Sequence, residues 1–439
     1  MNIKISTNGP VKSTALKITG SKSETNRLLL LQALFEGITI QNASESDDSI
    51  AMQQALASNE SVVDIHHAGT AMRFLTAYFS QKEGRSVVLT GSQRMKERPI
   101  GVLVDALRAL GADIQYAENE GYPPLKINGK KLTGSTVSIN AGVSSQYITA
   151  LMLIGAKLPN GLQLTLEGEV TSVPYINMTQ MLLAQAGINS SFEGNVITVQ
   201  PLQSEIINLK SEIVVESDWS SASYFYSIVA LSPVGTEIAL STYKELSFQG
   251  DSALADIYRE FGVSTEFKDG AIILSKENRE LSTVNFELNN TPDIAQTIAV
   301  TCFGLGMGCH LTGLHTLKIK ETDRLEALKA ELSKFGADIT VTNDSLSLSP
   351  TLSKGEGVSF TQNQNSEVGT SEVGSPPLEG LGEAAHVATY NDHRMAMAFA
   401  PLAIKTPFVI QDAGVVSKSF PTFWEDLSAL SFQVSAFSD

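Results

Sequence analysis

The chain has 439 residues, 47 acidic side chains against 31 basic ones and a net charge of -16, a balance that argues against nucleic acid or an anionic membrane as the main partner. Its length exceeds what one core usually covers, and its 42% hydrophobic content is ample for two domains of roughly 200 residues each. Cys302 and Cys309 share an apolar run, so neither a disulfide framework nor a Cys-rich metal site is indicated, and a reducing cytosol fits.

The opening residues, MNIKISTNGP, contain no apolar core of a secretory signal, which sets the expectation of a cytoplasmic protein. In GSKSETNRLLLLQAL, residues 20–34, Ser21 or Ser23 can cap a helix whose first turn also carries Lys22 and Arg27. Backbone N–H groups, the helix dipole and two cations together make an anion site in outline. The plainer alternative is a capped helix with solvated cations, and no GxxxxGK[ST] pattern supports a P-loop. In QRMKERPIGVLVDALRALGA, residues 93–112, Arg98 precedes Pro99, which is read as the first helical position, so Arg98 can hold a carboxylate or phosphate there. VSSQY at 143–147 and TSVPY at 171–175 place hydroxyls and an amide at helix starts, either as ligand donors or simply as caps.

A long uncharged run ending at Lys318, 294–317, is broken by Gly304, Gly306, Gly308 and Gly313, and reads as a buried helix and a strand rather than a membrane span. Asp293 follows Pro292 at the start of that helix, where an acid partners the dipole. In LKIKETDRLEALKAELSKFGADI, residues 317–339, Leu325, Leu328, Leu332 and Phe335 form a helical stripe, with Lys320 and Arg324 expected one turn apart at its N-terminus. Two cations there repel unless an anion joins them, and Glu321 is either that counter-ion or a proton carrier. Asp392, His393 and Arg394 stand before another apolar helix, an arrangement suited to proton work. Lys418 opens the last helix.

Four helix ends run into strands at Gly111, Gly187, Gly262 and Gly336, spaced 76, 75 and 74 residues apart, each where a C-cap needs positive φ. A second set of helices begins near Ser23, Thr70, Ser144, Ser220, Pro292 and Asp392. With helices near Asp48 and Phe420 the total is twelve, separated by strands such as 87–90, 163–166 and 272–275, which implies six βα-rich units, three per domain. The period fails once, at 362–385, where SEVG occurs twice amid Gly, Pro and Glu; this composition reads as a disordered surface insertion.

Taken together, GSKSETNR, AGTAMRF, ERPIG, SSQY, SASYF, PDIAQTIA, KETDRL and NDHRMAM, in this order, resemble the 5-enolpyruvylshikimate-3-phosphate synthases over nearly the whole chain. The resemblance implies an α/β fold of two domains, each of three βαβαββ units, here 1–19 plus 217–439 and 20–216, with the active site between them. It implies transfer of the enolpyruvyl group of phosphoenolpyruvate to the 5-hydroxyl of shikimate 3-phosphate by a monomer without metal or organic cofactor. Lys22, Ser23, Arg27, Ser144, Ser145, Gln146, Ser172, Tyr175, Asp293, Thr316 and Lys320 are then expected at shikimate 3-phosphate. Lys22, Gly69, Arg98, Gln146, Arg324, Arg394 and Lys418 are expected around phosphoenolpyruvate. Asp293 is expected to take the 5-hydroxyl proton, and Glu321, assisted by Lys22 and supported by His393, to serve the methylene carbon.

Three positions depart from the family pattern: His67 stands for Asn, Phe74 for Pro and Thr316 for Asn. The first two bear on the shape of the phosphoenolpyruvate loop and on glyphosate sensitivity, the third on one polar contact to shikimate 3-phosphate. Two alternatives share the fold, a UDP-N-acetylglucosamine enolpyruvyl transferase and a non-catalytic anion-binding scaffold. The first usually carries a reactive Cys in the loop before the Arg-Pro pair, and GSQRMKERP has none. The second is expected to lose its proton carriers, which are present.

Overall fold

The computed structural model describes residues 1–140, 142, 144–168, 170, 173–202, 211–350 and 385–437. Ser172 and all but the last residue of the 362–385 segment lie outside the described residues.

One pattern recurs. Strand Val62–Asp64 leads through helix Gly69–Gln81 to Ser86–Thr90, its parallel partner, and helix Gly101–Ala109 leads on to Asp113–Tyr116 and Leu125–Asn128, which extend the sheet antiparallel. The same βαβαββ order builds the sheets over Thr136–Asn140 to Val196–Val199 and over Val284–Glu287 to Leu346–Pro350. The sheet of His386–Val387, Phe408–Ile410 and Phe432–Phe437 is completed by the N-terminal strand Asn2–Thr7. Thr14–Lys17 completes another by pairing in parallel with Glu237–Ser241. In the sixth, Ile38–Gln41 pairs in parallel with Ser211–Val214.

The glycine ladder has its physical cause in the backbone: Gly111, Gly187, Gly262 and Gly336 adopt φ of 102°, 76°, 71° and 88°, left-handed values at which a Cβ is disfavoured. The first helix of each unit is the more buried one. In Trp219–Leu231 every residue except Ser220 is buried, the pattern of a helix enclosed on all sides. Both cysteines are free and buried. Among the described residues no helix is long and apolar enough to cross a membrane.

Three local expectations are corrected. Helix Arg324–Ser333 begins at Arg324 and not before Lys320, because the Asp323 side chain accepts from the Glu326 N–H and caps it there. Pro99 lies before its helix, since the Ile100 and Gly101 N–H groups donate to the Gly121 carbonyl instead. The segment before Gly262 is one α-turn, Leu254–Ile257, between two 3₁₀ turns, with Tyr258 and Phe261 buried three apart on one face. Strand His386–Val387 is short because Tyr390 and Asn391 take left-handed φ of 53° and 57°, which turns the chain toward Asp392.

The buried apolar side chains form two clusters, one drawn from residues 3–18 and 219–432 and the other from 28–215. The chain passes between them where Gly20 bridges Ser217 and the Ser21 N–H donates to the Glu216 carbonyl at 2.8 Å. Glu24 and Glu216, both buried, meet at this crossover. The Glu216 N–H donates to the Glu24 carboxylate at 3.3 Å, and Gln249 Nε2 donates to it at 2.9 Å.

Candidate active site

A cavity of about 240 Å³ is lined by side chains from both clusters. Helices Lys22–Leu34, Gly69–Gln81 and Ser145–Gly155 bring their N-termini to one wall, and Trp219–Leu231, Ala295–Leu305 with its leading 3₁₀ turn Pro292–Ile294, and His393–Phe399 bring theirs to the other. Four of them link two parallel strands of one sheet, whereas Lys22–Leu34 and Trp219–Leu231 follow Thr14–Lys17 and Ser211–Val214, each of which pairs in the other half's sheet; together the six converge their positive dipole ends on one space.

On the first wall Ser21, not Ser23, caps the opening helix by accepting from the Glu24 N–H, leaving Ser23 in the cavity lining. Arg27 is 3% exposed, lies 5.6 Å from the ring centres of both Phe74 and Tyr175, and donates to Thr179 Oγ1, the Ser23 carbonyl and Thr149 Oγ1. All three acceptors are neutral, and burial lowers its pKa to about 10. Arg73 is likewise buried on neutral acceptors, and burial with the nearby charge of Arg98 lowers it to about 10. A Cβ at Gly69 would stand 2.6 Å from Arg98 Nη1, so a side chain there would displace the Arg98 guanidinium. Lys22 Nζ lies 3.8 Å from Asp48, Gln146 Nε2 donates to Thr70 Oγ1, and Ser144 caps its helix by accepting from the Gln146 N–H.

The second wall is built on ion pairs. Arg324, 2% exposed, donates through Nε to Asp392 at 2.7 Å, through Nη1 to Asp293 at 2.9 Å and through Nη2 to Glu321 at 2.9 Å. Lys320 Nζ lies 3.5 Å from Asp293, and Arg394 donates to the Asp293 carbonyl at 3.2 Å. Tyr175, from the opposite wall, donates to the Asp293 carboxylate at 3.4 Å. Burial alone would raise Asp293, yet Lys320, Arg394, Arg324 and Lys22 hold it well below the usual carboxylate range. Glu321 follows the same logic, with Arg324, His393, Arg98 and Lys22 outweighing burial. Burial, with Lys22 adding to it, pushes His393 well below its ordinary value, so the imidazole is neutral. Among the described residues neither of its ring nitrogens has a hydrogen-bond partner, so what it does for Glu321 it does through space.

Of the residues singled out in the sequence, Lys22, Ser23, Arg27, Gly69, Arg98, Ser144, Ser145, Gln146, Tyr175, Asp293, Thr316, Lys320, Glu321, Arg324, His393 and Arg394 line this cavity. Lys418 does not; its ammonium donates to the carbonyl and side-chain oxygen of Asn391, both at 2.7 Å, although Ser419 beside it reaches the lining. Thr316 Oγ1 is buried and has no hydrogen-bond partner among the described residues. Phe74 is fully buried on Arg27, and His67 Nε2 lies 3.8 Å from Asp47. Asp48, Arg73, Asp218 and Tyr224 also line the cavity and were not singled out. Arg73 lies inside AGTAMRF and Asp48 in the acidic SESDDS opening a helix, so both carried a signal. Among the described residues no group of three or more His, Cys, Asp or Glu side chains is placed to hold a metal ion.

The family model described as EPSP synthase (3-phosphoshikimate 1-carboxyvinyltransferase) matches residues 51–427. The chain belongs to the EPSP synthase family. It is 43% identical over 438 residues to a 3-phosphoshikimate 1-carboxyvinyltransferase of Bacteroides fragilis, covering 99% of each chain. To one of Colwellia psychrerythraea it is 36% identical, over 94% of this chain and 96% of that one. The solved EPSP synthase from Acinetobacter baumannii superposes with a TM-score of 0.75 at 22% identity, over 99% of this chain and 100% of that one. The enolpyruvyl transferase NikO from Streptomyces tendae does so with 0.69 at 13%, over 99% and 98%. These last two likenesses establish the fold: α/β, of repeated units. The EPSP synthase motifs noted in the sequence are therefore the ones whose side chains meet in the cavity.

Proposed function

We propose that this chain transfers the enolpyruvyl group of phosphoenolpyruvate to the 5-hydroxyl of shikimate 3-phosphate and releases phosphate. The observation that carries the reading is the meeting of six helix N-termini and the side chains of Lys22, Arg27, Arg98, Lys320, Arg324 and Arg394 around one cavity that also holds Asp293 and Glu321. Two phosphates and a carboxylate need that many positive ends, and a chain of net charge -16 reserves them for this place.

The shikimate 3-phosphate side is assigned to Lys22, Ser23, Arg27, Ser144, Ser145, Gln146, Tyr175, Asp293, Thr316 and Lys320. The phosphoenolpyruvate side is assigned to Lys22, Gly69, Arg98, Gln146, Arg324 and Arg394, with Lys418 joining only on leaving Asn391. The 5-hydroxyl oxygen attacks C2 of phosphoenolpyruvate and gives its proton to Asp293, while the methylene carbon takes a proton from Glu321. The tetrahedral product then expels phosphate, which takes up the proton held by Asp293, as a methyl proton returns to Glu321 and restores the double bond. Asp293 is already in the base form. Glu321 becomes a proton donor once substrate anions draw the charge of Arg324, Arg98 and Lys22 away from it, since those charges are what keep it ionised. The two apolar clusters are read as two domains, 1–19 plus 217–439 and 20–216, whose closure orients the substrates and excludes water. A monomer suffices, because one chain supplies both walls; the buried free thiols suit the cytoplasm.

The test is phosphate release by the purified chain. Release is expected only with phosphoenolpyruvate and shikimate 3-phosphate together. Release with UDP-N-acetylglucosamine as acceptor, or with neither acceptor, would overturn the assignment.

A further inference from the structure

Behind the second wall lies a carboxylate that the chemistry above does not use. Asp251 is 6% exposed and outside the cavity lining. Its position is tightly set: at the preceding Gly250 a Cβ would stand 2.8 Å from the Asn290 carbonyl and 3.0 Å from Cβ of Pro174, a residue of the other half of the molecule. Both carboxylate oxygens are occupied, Oδ2 by the Ser220 hydroxyl and Oδ1 by the Thr291 hydroxyl.

Each of these hydroxyls reaches the site. Ser220 Oγ lines the cavity and accepts from Arg394 Nη2 at 3.3 Å. Thr291 is the N-cap of the short turn Pro292–Ile294 that presents Asp293, and Arg394 Nη1 in turn donates to the Asp293 carbonyl.

We infer that Asp251 is a positioning residue for the transfer reaction, holding Arg394 through Ser220 and the Asp293 turn through Thr291. An ionised carboxylate has acceptors only, so it draws both hydroxyl protons toward itself. That leaves the lone pairs of Ser220 facing Arg394, as its observed acceptor role requires. An amide at the same place must point one N–H at a hydroxyl. If that hydroxyl is Ser220, its proton turns toward the guanidinium and the bond to Arg394 is lost. Burial and the neighbouring Asp293 raise the Asp251 pKa, while Arg394, Ser220 and Thr291 oppose that rise.

The inference rests on the proposed reaction, so wild type is assayed first, and absence of its activity would count against that reaction rather than against Asp251. With wild type active, Asp251→Asn is compared with Ser220→Ala in steady-state kinetics and in calorimetry with shikimate 3-phosphate alone. Both variants are expected to raise KM for phosphoenolpyruvate and lower kcat, each by roughly tenfold, the scale of one lost hydrogen bond to a charged group. Shikimate 3-phosphate Kd is expected to rise by no more than about threefold, because its cations Lys22, Arg27 and Lys320 make no bond to Asp251 and only its contact with Asp293 is disturbed. Unchanged kinetics in Asp251→Asn overturns the inference. So does a loss of shikimate 3-phosphate affinity as large as that for phosphoenolpyruvate, which marks general loosening of the site. Should Asp251→Asn fail to fold, Ser220→Ala alone decides by the same split between the two substrates.

Discussion

The two walls of the cavity carry cations in opposite ways. Arg27 and Arg73 on the first wall are buried among hydroxyls, carbonyls and a thioether sulfur, and burial lowers both to about 10. On the second wall burial also works against Arg324, but Asp392, Glu321 and Asp293 overcome it and hold its pKa above the ordinary value. The first wall therefore offers positive charge in want of an anion. The second is already neutralised, and a substrate carboxylate arriving there must share cations with acids. The first arrangement suits tight capture of a phosphate. The second makes the basicity of Asp293 and Glu321 depend on what is bound, which chemistry needs.

The largest effect that can break this comparison is on stability. Arg324→Met leaves Asp392 and its neighbours without their cation, and is expected to cost about 3 to 5 kcal/mol together with turnover. Arg27→Met removes a buried charge whose hydrogen bonds go to neutral acceptors among the described residues, and is expected to cost under about 2 kcal/mol while abolishing shikimate 3-phosphate binding. Urea unfolding midpoints read the difference. Equal destabilisation by the two substitutions would mean that the walls are not distinct.

Ligand binding sharpens the same contrast at smaller scale. Lys22→Met and Glu321→Gln are both expected to abolish turnover. Only Lys22→Met is expected to weaken shikimate 3-phosphate binding, by about tenfold or more, since it removes a charge from the capture wall. Glu321→Gln releases part of the Arg324 guanidinium and is expected to keep or improve binding of phosphoenolpyruvate in the ternary complex. Calorimetry in which both variants lose shikimate 3-phosphate to the same extent would remove the proton role proposed for Glu321.

Much of the capture wall was legible in the sequence because its signals are local. A serine cap, Lys22, Arg27 and the start of an apolar helix fall within a few residues, and the four glycine helix ends follow from a backbone angle that side chains disfavour. The neutralised wall was legible in its members but not in its pairing. Arg324 and Asp392 are 68 positions apart, and only the folded chain brings them to 2.7 Å. The helix start at Arg324 was misplaced because KETDRLE offers several openings, and the Asp323 side chain prevails over the others through its bond to the Glu326 N–H. Lys418 was assigned to the cavity from its motif, whereas Asn391, in a left-handed turn, supplies two acceptors from 27 positions away that draw it aside. Asp251 carried no signal at all, since a single acid in QGDS looks like surface until Ser220 and Thr291 close on it.

The crossover between the halves is a third electrostatic solution, and it gives the smallest and most specific effect. Here two acids share one buried place, and burial followed by the charge of Glu216 raises Glu24 to about 7. Gln249 and the Glu216 N–H donate to Glu24, Lys244 opposes the rise, and Arg27 lies on the same helix one turn on. In the unfolded chain Glu24 loses its proton near 4.5, whereas in the fold it keeps it to about 7. Between those values the native state binds more protons, so stability falls as pH rises through that window and stays reduced above it. Glu24→Gln keeps the shape and removes the titration. It is expected to raise the melting temperature by a few degrees at pH 8, about 2 to 4 °C for each kcal/mol regained, and by much less at pH 5, where wild-type Glu24 is largely protonated. A gain of equal size at both pH values would show that the substitution acts through packing or hydrogen bonding. No gain at pH 8 would show that Lys244 and the two donors already neutralise the carboxylate, and that the crossover, like the second wall, carries its charges paired.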